Sequence, residues 1–201
     1  MRHRRYLPAV GLLVGLLIGG GFGLAFVLAN AHSPLSAIVG LSFRLLATAC
    51  FLVVIASVAR ATRLGSERPD APAGSRLRSG SRYGRGFWWV VIAEVVLLVV
   101  GLQVLRIASA PSEANVAWIA LVVGLHFIAF AFVWREASIA VPGAIVLLLG
   151  VAGLALSATS ANKWVPLLSG VCSGFVLLVG SLLGAVATRP AVRHSPGIGE
   201  P

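Results

Sequence analysis

From Phe87 to Ser109 the chain reads FWWVVIAEVVLLVVGLQVLRIAS, and Arg76–Gly86 just before it reads RLRSGSRYGRG. As a helix, the apolar run is long enough to cross a hydrocarbon core of ~30 Å, which takes ~20 residues. The run before it is arginine-, serine- and glycine-rich and carries too little apolar surface to fold on its own. So abrupt a change predicts that the chain passes from water into a bilayer.

The same change recurs along the chain. Six apolar segments stand out: Leu7–Ala29, Leu35–Ala59, Phe87–Ser109, Val116–Trp134, Ser138–Ala158 and Trp164–Thr188. The chain is 58% hydrophobic and 11% charged, whereas soluble domains are about a quarter charged. Backbone groups in hydrocarbon must be paired within their own segment, so each span is helical. The ~10-residue alternating strands of a membrane barrel are not present. The expectation is an all-α polytopic protein with six transmembrane helices in one bundle, and with residues 60–86 forming a flexible basic loop.

The charges set the orientation. Arg2, Arg4 and Arg5 precede the first segment. Arg60, Arg63, Arg68, Arg76, Arg78, Arg82 and Arg85 follow the second, Arg135 follows the fourth, and Arg189 and Arg193 follow the sixth. The alternate gaps hold Lys163 alone. Short cytoplasmic loops are enriched in Lys and Arg, so both termini are predicted to be cytoplasmic. The preference for arginine over lysine suggests a GC-rich bacterial genome. The net charge of +10 is explained by topology and by attraction to anionic lipid at the cytoplasmic face, with no need for nucleic acid as a partner. The first segment has a rival reading: Ala29-Asn30-Ala31 fits the small-x-small pattern of signal cleavage. Leu7–Leu28 is long for a signal core of about 7–15 residues, which favours a retained helix over cleavage after Ala31.

Lipid is as apolar as leucine, so membrane helices associate where small residues let backbones approach. Gly11, Gly15, Gly19 and Gly23 form such a stripe on the first segment, and Ser169, Gly170, Ser173, Gly174, Gly180 and Gly184 another on the sixth. Contacts within the bundle fit them, as does homo-oligomerisation. Pro142 and Pro166 fall near segment starts, where a missing N–H is tolerated. Trp88, Trp89, Trp118, Trp134 and Trp164 lie near segment ends, as an interfacial aromatic belt should.

Arg44, Glu94 and His126 are the ionisable residues well inside the segments. Residues of this kind face the bundle interior and mark function by default. Small neighbours at Gly40, Ala47 and Thr48 turn Arg44 towards other helices, where a buried guanidinium needs a carboxylate. Glu94 is the carboxylate inside a span, and its Cα is about 10 Å from Arg44 in depth at 1.5 Å per residue. The expectation is one buried polar cluster of all three residues. It serves either as a proton-linked or anion-binding site or as a charge pair that fixes helix register. Gln103 and Arg106 lie one turn apart near the end of the third segment. Arg106 is expected to extend to the interface with Glu113 as its solvated partner.

Cys50 and Cys172 lack partners at metal or redox spacing. No nucleophile elbow, zinc signature or phosphate loop is present, and His126 has no second membrane histidine. No cofactor or metal is therefore expected, and the reading leans against an enzyme. From Phe87 through the fifth segment, the Glu94 helix, VAWIALVVGLHFIAFAFVW with its G-x-H-F element at Gly124–Phe127, and the glycine-rich helix after it resemble small multi-spanning membrane proteins of actinobacteria. This resemblance covers about half the chain and implies a bacterial plasma membrane without implying an activity. The leading expectation is a non-enzymatic accessory or structural membrane component. The second is a small carrier using Arg44, Glu94 and His126, and the third is a lipid-modifying enzyme.

Overall fold

The computed structural model describes residues 10–32, 34–66, 85–134 and 137–187. Among them, six helices are long and apolar enough to cross a membrane. Five are α1 (Val10–Asn30), α2 (Ala37–Ser66), α3 (Arg85–Ile107), α4 (Ala114–Trp134) and α5 (Ala137–Ser157); the sixth span, Asn162–Ala187, ends in α6 (Cys172–Ala187). A 3₁₀ turn at Asn162–Trp164 and a π turn at Pro166–Val171 lead into α6. The described residues contain no strand.

The α2–α3 loop bounds and the placement of one proline differ from the sequence expectation. Arg60–Ser66, expected to belong to the loop, continues α2, because Ala, Thr, Arg and Leu there carry no helix breaker until Gly65. At its other end Arg85 and Gly86 open α3, and residues 67–84 of the expected flexible loop lie outside the described residues. Pro142 sits inside α5 rather than in its first turn. Its ring packs where a Cβ on Gly180 would meet it at 3.5 Å.

The closely packed pairs run antiparallel, as their close approaches show. Along α1 and α6, Gly23 meets Gly174, Gly19 meets Ser181, and Leu16 meets Gly184. Along α4 and α5, Gly124 meets Gly143 and Leu147, and Leu121 meets Gly150. Along α1 and α2, Ala31 meets Gly40 and Phe51 meets Gly20. The α1–α2 and α3–α4 turns and the short turn after α5 therefore share one end of the bundle, and the α2–α3 and α4–α5 connections share the other.

Five helices make the tight body. A Cβ on Gly23 would lie 2.6 Å from the Gly174 carbonyl oxygen, and one on Gly174 would lie 2.6 Å from the Gly23 carbonyl oxygen. The two backbones therefore touch at this crossing, as small-residue stripes permit. Val27, Ala31, Ala47, Val171 and Leu178 fill the space between α1, α2 and the α6 region. Phe26, Ala120, Val123, Val146 and Leu177 join α4 and α5 to that body. Ser169 is fully buried, and its hydroxyl donates to the Leu149 carbonyl at 2.8 Å, tying the π turn to α5.

The third helix is different. It packs chiefly on α4, and 6% of its span is buried, against 44% for α1 and for the α6 span. Its end is nevertheless well formed. Ser109 adopts φ 51°, the Ala110 N–H donates to the Leu105 carbonyl at 3.0 Å, and the Ser109 N–H donates to the Arg106 carbonyl at 3.1 Å. This is a Schellman cap with serine where glycine usually sits.

Candidate functional site

The candidate site lies between α3 and α4. Glu94 and His126 are nearly the same number of residues from the turn joining their helices, so antiparallel packing brings them level. His126 Nδ1 lies 2.7 Å from Glu94 Oε2, with the two side chains 10% and 12% exposed. The contact is close, yet His126 Nδ1 has no well-aligned hydrogen bond. It is a close nitrogen–oxygen approach rather than a straight N–H···O link.

Aromatic rings support the histidine. The Phe130 ring meets it edge to face at 4.2 Å between centroids, and Phe127 does so at 5.8 Å. Phe130 is itself stacked between Phe87 on α3, at 5.3 Å, and Trp134 one turn on, at 4.5 Å. The pair lies in an open groove of about 260 Å³ whose walls are Trp89, Val90, Ala93, Leu97, Val122, Leu125 and Ala129. Glu94 and His126 are the titratable residues lining it.

Arg44 does not join them. It is half-buried on α2, whose main neighbours are α1 and α6, and it shares a helical face with Gly40 and Phe51, which meet α1. Its buried Nε has no hydrogen-bond partner, and the ion pair found among the described residues is Glu94–His126. Reach along the membrane normal was not enough to bring Arg44 and Glu94 together, because the order of helices around the bundle separates them.

Two further interactions hold α3, and the sequence reading missed both. Trp118, read there as part of the interfacial belt, points at α3. Its Nε1–H donates to the Leu97 carbonyl at 3.1 Å, and its ring occupies the space a Cβ on Gly101 would need. The available signal was a glycine on α3 at the level of a tryptophan on the next helix. Trp88, Trp89 and Trp164 are exposed, as belt residues should be.

The glycine stripe on α1 is uneven. Gly23 is in backbone contact, Gly19 would meet Ser181 Oγ at 3.0 Å, and Gly15 faces open space. Gly11 falls outside the residues whose packing is described. Glu113, expected to pair with Arg106, instead accepts a hydrogen bond from the Ser112 hydroxyl at 3.2 Å. Among the described residues, no group of three or more His, Cys, Asp or Glu side chains could hold a metal ion.

The six apolar spans and their antiparallel packing define a multi-pass integral membrane protein. Compared with known proteins, the chain matches no family model, no curated sequence and no solved structure.

Proposed function

We propose that the protein is a non-enzymatic accessory component of a bacterial plasma membrane, with both termini cytoplasmic, and that it uses α3 to meet another membrane protein. The observation that carries this reading is the contrast between α3 and the rest. The body is joined by glycine contacts and a buried serine bond, whereas α3 rests on one neighbour and leaves Val95, Val96, Val99, Val100 and Val104 bare. Polar and aromatic contacts fix its register without burying it. The orientation rests on the arginine distribution, and the bacterial membrane on the resemblance to actinobacterial multi-spanning proteins.

Photo-crosslinking from Val96 and Val100 in native membranes tests this, with Leu41 and Leu45 on the exposed face of α2 as controls. The expected result is protein adducts from α3 and lipid adducts alone from α2. Lipid adducts alone from both helices would refute it.

A second reading is favoured by the Glu94–His126 contact: a proton-linked carrier in which this pair, without Arg44, loads and releases a proton. Histidine titrates in the physiological range, and a carboxylate at 2.7 Å offers the proton a second position. Proton flux into proteoliposomes that disappears with Glu94→Gln would support it, and the absence of wild-type flux across a pH gradient would remove it.

A further inference from the structure

At the other end of the α3–α4 interface, an open cleft of about 440 Å³ is lined by Leu102, Gln103, Leu105, Arg106, Ala110, Ser112 and Asn115. We infer that this cleft holds the phosphate of a phospholipid headgroup in the leaflet that faces the short turns.

The donor set has the chemistry of a phosphate site. Gln103 and Arg106 lie three residues apart on one face of α3, and Asn115 lines the cleft across the turn with Ser112, whose hydroxyl is committed to Glu113. Arg106 sits in the last turn of α3, where the span ends at Ile107. That is the level at which lipid phosphates lie. Its guanidinium has no ion pair among the described residues, since the nearby Glu113 is engaged by Ser112 and does not line the cleft. A planar guanidinium fork matches two phosphate oxygens. The amides of Gln103 and Asn115 are left for a further phosphate or glycerol oxygen.

The walls distinguish a lipid from a free anion. Leu102 and Leu105 form the apolar side of the cleft, which benefits a ligand with acyl chains and offers nothing to inorganic phosphate. The frame is also fixed in advance. The Schellman cap at Ser109 locks Ala110 back onto Leu105, so little ordering cost falls on binding.

The test uses the full-length chain, delipidated in mild detergent and re-exposed to phosphatidylglycerol. Native mass spectrometry then counts retained lipid. The basic loop at the opposite end is identical in all variants, so its lipids cancel in the comparison. Arg106→Gln is expected to lower occupancy of one lipid about tenfold, Arg106→Lys to lower it less, and Arg44→Gln to leave it unchanged. Arg106 is exposed, so its variants keep their fold, and far-ultraviolet circular dichroism verifies the fold of all three proteins. Equal lipid retention by wild type and Arg106→Gln would overturn the site. Displacement of the lipid by millimolar inorganic phosphate would overturn its assignment to a lipid.

Discussion

Replacing Gly101 with alanine should weaken the attachment of α3, and the sign of the effect should reverse when Trp118 is absent. Alanine favours a helix over glycine by about 1 kcal/mol, so on propensity alone Gly101→Ala is stabilising. The structure opposes that gain, because the new Cβ would occupy the space of the Trp118 ring. Overpacking of this kind costs about 1–3 kcal/mol. The Trp118 N–H bond to the Leu97 carbonyl, 3.1 Å long, would also be lost as the ring swings away, and interhelical bonds in membranes contribute about 0.6 kcal/mol on average and about 1.7 at most. The net expectation is a loss of about 1–3 kcal/mol with Trp118 present. With Trp118→Ala the clash and the bond are both gone, and Gly101→Ala should then gain up to about 1 kcal/mol. Steric trapping with tags on α3 and α4 reads the separation of these two helices directly, and a double-mutant cycle isolates the coupling. The same cost in both backgrounds would refute the reasoning, because it would mean that the glycine serves something other than the tryptophan.

Gly23→Ala should cost about 1–3 kcal/mol or more, since its Cβ would lie 2.6 Å from a backbone oxygen of α6. Gly15→Ala, facing open space, should be tolerated; equal losses in detergent melting would contradict the α1–α6 crossing. Ser109→Gly should stabilise the end of α3 by about 1 kcal/mol, because left-handed backbone is costly for any residue with a Cβ. Hydrogen exchange at Ala108–Ala110 that slows in the variant would bear this out, and unchanged exchange would count against it. Ser169→Ala should cost about 0.6–1.7 kcal/mol through loss of the 2.8 Å bond to Leu149, measurable by unfolding in mixed micelles, and no change would mean that the bond is idle. The protein isolated from its host should retain residues before Ala31, because α1 covers Val171 and Leu178 in the centre of the bundle. An intact mass beginning at His32 would show that cleavage occurs.

The spans were legible because membrane burial is written in composition: apolar runs of sufficient length between polar gaps admit few other readings. Packing was legible only where a local rule reached it. A short turn forces α3 and α4 to be antiparallel neighbours, so residues equidistant from it must meet, and Glu94 and His126 do. No such rule linked Arg44 to Glu94. Depth is encoded along the chain, but position around the bundle is decided by which glycine stripes interlock. The four glycines of α1 are equivalent as a sequence pattern, yet the three whose packing is described range from backbone contact at Gly23 to open space at Gly15, since two crossing helices touch over a short stretch. Trp118 was misread for a related reason: a tryptophan near a span end suits the interface, and only the bare Gly101 opposite it directs the ring inward.

The means by which α3 is held follow from its position. A helix at the centre of the bundle can be fixed by close backbone contact on several sides, as α1 is by α2 and α6. A peripheral helix with one neighbour has a single seam, and lipid competes for its apolar contacts on nearly equal terms. Directional contacts must then set its rotation and height. The α3–α4 seam carries three at different depths: the Phe87–Phe130 stack, the Glu94–His126 pair and the Trp118–Leu97 bond over Gly101. Each is specific in register and modest in energy. A helix held this way keeps its orientation while its other faces remain free, and that combination is what a helix meeting another membrane protein requires.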